Sequence, residues 1–239
     1  MDYLSDLHHE VRSIANPGKA KILSGFFKTG KGEYGEGDIF LGLTVPQSRK
    51  IVFKYKNLSI NEVKILLSSK IHEERLIALL ILVHNFEKGS DKEKEAAYKI
   101  YLQNTQYINN WDLVDLTAPK IVGEWLINKN RSILTKLARS KNLWERRIAM
   151  IATHQFICKN KTEKDTFEIA EILIDDKHDL IQKAVGWMLR EVGKRIGQGV
   201  EEEFLKKHYK KMGRTSLRYA IERFPEKIRK QYLLSKIQA

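Results

Sequence analysis

From about residue 61 onward, apolar side chains recur three and four positions apart, the period of helices that bury one face. The pattern predicts helices over residues 71–86, 94–107, 112–128, 133–138, 143–158, 166–174 and 180–196, with further segments near 200–210, 216–223 and 226–237. No stretch alternates with the period of two that a half-buried strand requires, so the expected fold is all-α.

Short polar links separate these segments, and three of them carry tryptophan, at Trp111, Trp144 and Trp187, separations of 33 and 43 residues. These intervals straddle the period of HEAT-like helical repeats, in which paired helices stack into an α-solenoid and one helix of each pair lines a concave face. A single domain over residues 1–239 is expected. The non-repeating part is the glycine-rich and then apolar stretch from Lys28 to Pro46. Gly30, Gly32 and Gly35 spell G-x-G-x-x-G, but no strand precedes them and no helix opens on them, so a nucleotide-binding reading is rejected. The stretch reads as a loop leading to a helix that starts at Pro46 and carries Arg49 one turn on.

The segment 180–196 is two-faced in an unusual way. Ile181, Ala184, Val185, Met188, Leu189 and Val192 share one side, whereas Lys183, Trp187, Arg190 and Lys194 share the other. An indole among cations on the outer side of a helix suits a flat, apolar or anionic partner. Charge supports the anionic one. The chain carries 43 Lys+Arg against 30 Asp+Glu, a formal charge of +13, and residues 181–239 hold 15 Lys+Arg against 6 Asp+Glu. The excess is therefore local to the last quarter, although a basic balance that serves only solubility produces the same total.

Other function classes find little support. No apolar run reaches membrane-spanning length, and the first residues lack the charged start and apolar stretch of a signal peptide, so a cytoplasmic protein without a membrane association is expected. The single Cys158 cannot form an internal disulfide and reads as a core residue. None of the seven histidines, at 8, 9, 72, 84, 154, 178 and 208, pairs with a second His or Cys at metal-ligand spacing, so no metal is expected.

Two further segments are candidates for chemistry. Trp111 and Asp115 are four apart, so one helical turn stacks the indole over the carboxylate, next to the apolar stripe of Ala118, Val122 and Trp125. On structural grounds alone, Asp112 would be a first-turn acid, Asp115 an arginine's partner and Trp111 a core residue. In Leu143-Trp-Glu-Arg-Arg147, Arg147 falls on the side of Trp144, Ile151 and Cys158, while Arg146 points to solvent. Arg147 can be an ion-pair partner, with Asp115 as the candidate acid, or a functional group.

Together the segments Trp111-Asp-Leu-Val-Asp115, Asn142-Leu-Trp-Glu-Arg-Arg147 and Ile181-Gln-Lys-Ala-Val-Gly-Trp-Met-Leu-Arg-Glu191, in that order and spacing, resemble the AlkD-like DNA alkylation repair glycosylases. The resemblance extends to Phe40-Leu-Gly-Leu-Thr-Val-Pro-Gln-Ser-Arg49 and Arg214-Thr-Ser-Leu-Arg-Tyr-Ala-Ile221. It implies a HEAT-like solenoid whose concave basic face holds double-stranded DNA containing alkylated purines. It further implies removal of N3- and N7-alkylated purines by a monomer, without metal or cofactor and without flipping the base. The site residues it implies are Asp115 beside the anomeric carbon, Trp111 and Trp187 on the deoxyribose backbone, and Arg147 close by. Arg190, Arg49, Lys183 and Lys194 are then expected at phosphates. Asn110 departs from the family pattern, since some members carry a second Trp there. The alternatives are a non-catalytic nucleic-acid-binding solenoid and a protein-interaction scaffold of the same fold.

Overall fold

The computed structural model describes residues 3–237, so residues 1, 2, 238 and 239 of the expected 1–239 domain lie outside it. Among the described residues every regular element is helical, and the only pairing of extended backbone is an isolated parallel bridge between Ile39 and Ile71. The chain divides into two compact units, residues Met1–Thr117 and Ala118–Ala239.

The first unit contains α1 (Tyr3–Ser13), α2 (Pro17–Phe26), a long loop, α3 (Val45–Tyr55), α4 (Ile60–Leu67), α5 (His72–Lys88), α6 (Asp91–Gln103), a 3-10 turn (Thr105–Tyr107) and the helix α7 (Trp111–Ala118). Local chemistry sets several starts. Asn16 accepts from the Lys19 amide ahead of Pro17, Thr44 donates its amide to Gln47 at the head of α3, and Ser59 and Glu62 cap α4 reciprocally. The α3 start fits the helix expected near Pro46.

Helix α5 is the centre of this unit. It packs against α3, α4 and α6, and it is buried on all sides from His72 to Val83, which is why its sequence is apolar all round. Its first turn is nevertheless His72-Glu73-Glu74-Arg75, and burying four ionisable groups requires partners for each. Glu73 accepts from the amides of Leu41, Gly42 and Leu43 at 2.8–3.1 Å. Glu74 meets His8 at 2.8 Å and Ser69 at 2.6 Å, and Arg75 meets Asp38 at 2.7 Å. Gly42 has φ near 88°, and a Cβ there would fall 2.2 Å from the Asn16 carbonyl, so glycine is what allows the loop to reach Glu73.

The second unit opens with a π-helical turn (Pro119–Gly123), followed by α8 (Ser132–Ala138), α9 (Leu143–Ala152), α10 (His154–Lys159), α11 (Lys164–Leu173), α12 (Asp179–Arg195), α13 (Gln198–His208), α14 (Arg214–Ala220), a 3-10 turn (Ile221–Arg223) and α15 (Glu226–Leu233). Several predicted helices are interrupted; the 94–107 segment ends as α6 at Gln103 and gives way to the 3-10 turn Thr105–Tyr107. The 112–128 segment yields at Pro119, which has no N–H to continue the ladder and whose ring crowds the carbonyl one turn earlier. The 143–158 segment divides at Thr153, whose hydroxyl bonds back to the Met150 carbonyl at 2.7 Å. At the centre of this unit is α12, packed by α9, α10, α11, α13 and α14. Among the described residues no helix is long and apolar enough to cross a membrane.

Candidate functional site

In the first unit, Trp111 and Asp115 share α7, one turn apart and both half-buried, as the helical spacing requires. Trp111 leans on an aromatic block: its ring stacks on Phe27 at 5.2 Å and 23°, and meets Phe26 edge-on at 5.8 Å. Phe27 stacks in turn on Phe40 at 5.0 Å, and Phe26 itself is 61% exposed. The indole is thus a supported platform rather than an interior core residue. Asp115 leaves an electrostatic mark on its surroundings. Burial above all raises the pKa of the Tyr101 hydroxyl, the hydrogen bond it shares with Thr117 at 3.0 Å opposes this, and the Asp115 charge adds to the rise. Arg49 lies exposed on α3.

Asn110 is fully buried and accepts the Trp111 amide at 2.9 Å. Asp112 bonds the Leu113 amide at 2.9 Å, the expected role of a first-turn acid, but it also reaches His72 at 2.8 Å. Next to it opens a cavity of about 230 Å³, walled by Leu23, Phe26, Phe27 and Phe40, with His72 and Asp112 among its lining. In the sequence His72 is one of seven histidines, none at metal-ligand spacing. Its signal was the run His72-Glu-Glu-Arg75 heading an otherwise apolar helix, an arrangement that demands buried partners.

In the second unit, Arg147 on α9 is inward-facing as expected, 4% exposed, and donates to the Leu180 carbonyl at 2.5 Å at the start of α12. Arg146 departs from the solvent position expected for it: it meets Asp176 at 2.7 Å and bonds the carbonyls of Ser140 and Lys141 at 3.0 Å. A long guanidinium within reach of a carboxylate and two carbonyls is held by them away from water.

Helix α12 buries Ile181, Ala184, Val185, Met188, Leu189 and Val192 as its pattern requires. The opposite face is less open than expected. Trp187 is half-buried, because five helices surround α12 and cover part of the side that a two-faced helix would leave to water. Its ring neighbour is the His154 imidazole, 6.5 Å away at 43°. That histidine is pulled down from its ordinary pKa by burial, against the opposing charge of Glu191. Cys158, expected in the core, is half-buried with its sulfur 3.6 Å from the His154 ring nitrogens.

The cations of this face are differently engaged. Lys183 meets Asp179 one turn earlier at 2.6 Å, and Arg190 is ion-paired with Glu222 of the 3-10 turn, while Lys194 is exposed. Two of the four expected catalytic residues thus belong to each unit, Trp111 and Asp115 to the first, Arg147 and Trp187 to the second. Among the described residues no group of three His, Cys, Asp or Glu is placed to hold a metal ion.

None of the curated proteins matches the chain. A solved structure, "Predicted DNA alkylation repair enzyme from Enterococcus faecalis", is similar to it in fold, with a TM-score of 0.69 at 20% identity, over 89% of this chain and 97% of that one. The family model described as DNA alkylation repair enzyme matches residues 7–224, which takes in α7, α9 and α12 and nearly all of both units. With a match of that extent, the chain belongs to the DNA alkylation repair enzyme family.

Proposed function

We propose that this protein is a DNA glycosylase that hydrolyses the N-glycosidic bond of N3- and N7-alkylated purines in duplex DNA, in base excision repair, acting as a monomer without metal or cofactor. Both units would serve one functional domain, a reading that the span of the family match supports. The observation that carries the activity is a half-buried carboxylate, Asp115, one helical turn from an indole that is braced by stacked phenylalanines.

Breaking this bond builds positive charge on the sugar, and a fixed carboxylate stabilises an oxocarbenium-like transition state. At 4 Å, unit charges attract by about 1 kcal/mol in water and about 4 kcal/mol at an effective dielectric near 20. The partial burial of Asp115 therefore decides whether the charge matters, and about 4 kcal/mol corresponds to roughly a thousandfold in rate. Indole faces such as those of Trp111 and Trp187 would favour a developing cation and keep water from screening it. An alkylated purine already carries positive charge and leaves neutral, so no strong general acid is needed. Asp115 would also orient the attacking water. Arg147 would lie close to the lesion's backbone, with Arg190, Lys183, Lys194 and Arg49 at phosphates.

Incubation with N-methyl-N-nitrosourea-treated duplex DNA is expected to release 7-methylguanine and 3-methyladenine. Asp115→Asn is expected to lose about two to three orders of magnitude in single-turnover rate while binding DNA as before. No release at enzyme excess would overturn the activity and, with DNA binding retained, favour a non-catalytic DNA-binding protein. An unchanged rate in Asp115→Asn would reject the carboxylate.

A further inference from the structure

Behind Trp111 runs a buried chain of charge that the chemistry above does not use. His72 is 2% exposed, with Nε2 2.8 Å from Asp112 Oδ2 and Nδ1 3.3 Å from Asp38 Oδ2. A neutral imidazole has one N–H and one lone pair, so one of these carboxylates would face a lone pair. An imidazolium donates to both.

The same ring stacks on Phe40 at 4.4 Å and lies 5.1 Å from Phe27, which is the ring under Trp111. The backbone around Trp111 is tied to this group as well. Asp112 follows it directly, Asn109 donates to Asp38 at 3.1 Å, and Asn110 accepts the Trp111 amide. His72 therefore meets Trp111 twice, through the first turn of α7 and through the aromatic stack, although 39 positions separate the two in sequence.

We propose that His72, as an imidazolium, is a positioning residue that fixes the Trp111 indole through Asp112 on one side and the Phe27–Phe40 stack on the other. The geometric part stands on the first unit alone; only its consequence for rate rests on the glycosylase reading. A platform held to a fraction of an ångström matters for a residue that packs on the reacting sugar.

The groups that face His72 set the sign of its pH dependence. They are Asp38 from the loop after α2, Asp112 from α7 and Arg75 from α5; Glu73 of α5 is held by loop amides and Lys19 of α2 lines the cavity. Burial lowers the pKa of His72, the two carboxylates outweigh it, Arg75 opposes them, and the net displacement is upward. The bridge is complete below that raised pKa and is lost as pH rises through it. Base excision should accordingly fall on the alkaline side.

The test is fluorine NMR of the protein carrying 5-fluorotryptophan, with the Trp111 resonance assigned by its loss in Trp111→Phe. The expected result is a Trp111 resonance that titrates in the native protein and not in His72→Gln. In parallel, His72→Gln should lower the maximal single-turnover excision rate about tenfold, change half-saturating DNA less than twofold and abolish the alkaline limb. A Trp111 resonance with the same pH dependence in both proteins overturns the proposal, as does an unchanged maximal rate in His72→Gln. If the native protein releases no base while its resonance titrates, the positioning stands and the glycosylase reading falls. If His72→Gln does not fold, Asp112→Asn should move the Trp111 titration to lower pH, and an unmoved midpoint overturns the proposal.

Discussion

Two buried or half-buried carboxyl groups show how surroundings assign different states to one functional group. Asp38 is pushed up by burial, yet His72, Arg75 and Asn109 outweigh it and hold it below its ordinary value, so it stays charged. Glu201, on α13, has no such company. Its Oε1 lacks a hydrogen-bond partner, the side chain lies against Gly193, and burial, with help from Glu202 and against Arg190, pushes its pKa up to about 9. The folded protein thus keeps a proton that the unfolded chain releases near pH 4.5, and stability must fall as pH rises between these values. Glu201→Gln, which keeps the shape and carries no charge, should raise stability at pH 8 by on the order of a few kcal/mol and leave it nearly unchanged near pH 4.5. Urea denaturation at both values measures this, and parallel curves for the two proteins would reject a buried acid. At the same scale, Trp111 and Asp115 were legible because one turn of helix is a local relation. His72 with Asp38 and Asp112 was not, since the three meet across 34 and 40 residues by the path of a loop.

Helix α12 is the central element of the second unit. Its predicted span, 180–196, and its apolar face agree with the observed Asp179–Arg195, because that face is written in one continuous period. Its neighbours are not. Gly186 lets α14 approach so closely that a Cβ at this position would fall 2.3 Å from the Ser216 carbonyl and 2.6 Å from Tyr219 Cβ. Gly186→Ala would gain helix propensity of about 0.5–1 kcal/mol but force α14 outward, for which overpacking costs of about 1–3 kcal/mol are typical. A net destabilisation of about 1–2 kcal/mol by chemical denaturation is expected. A variant as stable as the native protein would mean that α14 steps back freely, and Gly186 would then be no constraint on the helix that bears Trp187. The breaks at Pro119 and Thr153 belong to this scale too: proline was visible in the sequence, whereas a threonine hydroxyl turning back to a carbonyl is a choice that packing makes.

For the molecule as a whole, the charge of +13 and the 15 Lys+Arg against 6 Asp+Glu in residues 181–239 favour a polyanion, and the family supplies DNA repair as the setting. If Arg49, Lys183, Arg190 and Lys194 each neutralise one phosphate, log affinity should fall against log salt with a slope of about −3 to −4, roughly a hundredfold loss between 50 and 200 mM. Fluorescence anisotropy on a short duplex measures the slope, and a flat profile would remove these four residues from the interface. The sequence by itself determined the all-α class, the basic balance, the central helices and the Trp111–Asp115 turn, because periodicity, composition and i,i+4 spacing are properties of contiguous residues. Tertiary structure alone decided that Trp187 is half-covered, that Arg146 and Arg190 are paired, and that His72 joins two distant carboxylates beneath Trp111. Those outcomes depend on which helices surround α12 and on where the loop before α3 runs, and burial and long-range ion pairing follow from that packing rather than from any local pattern.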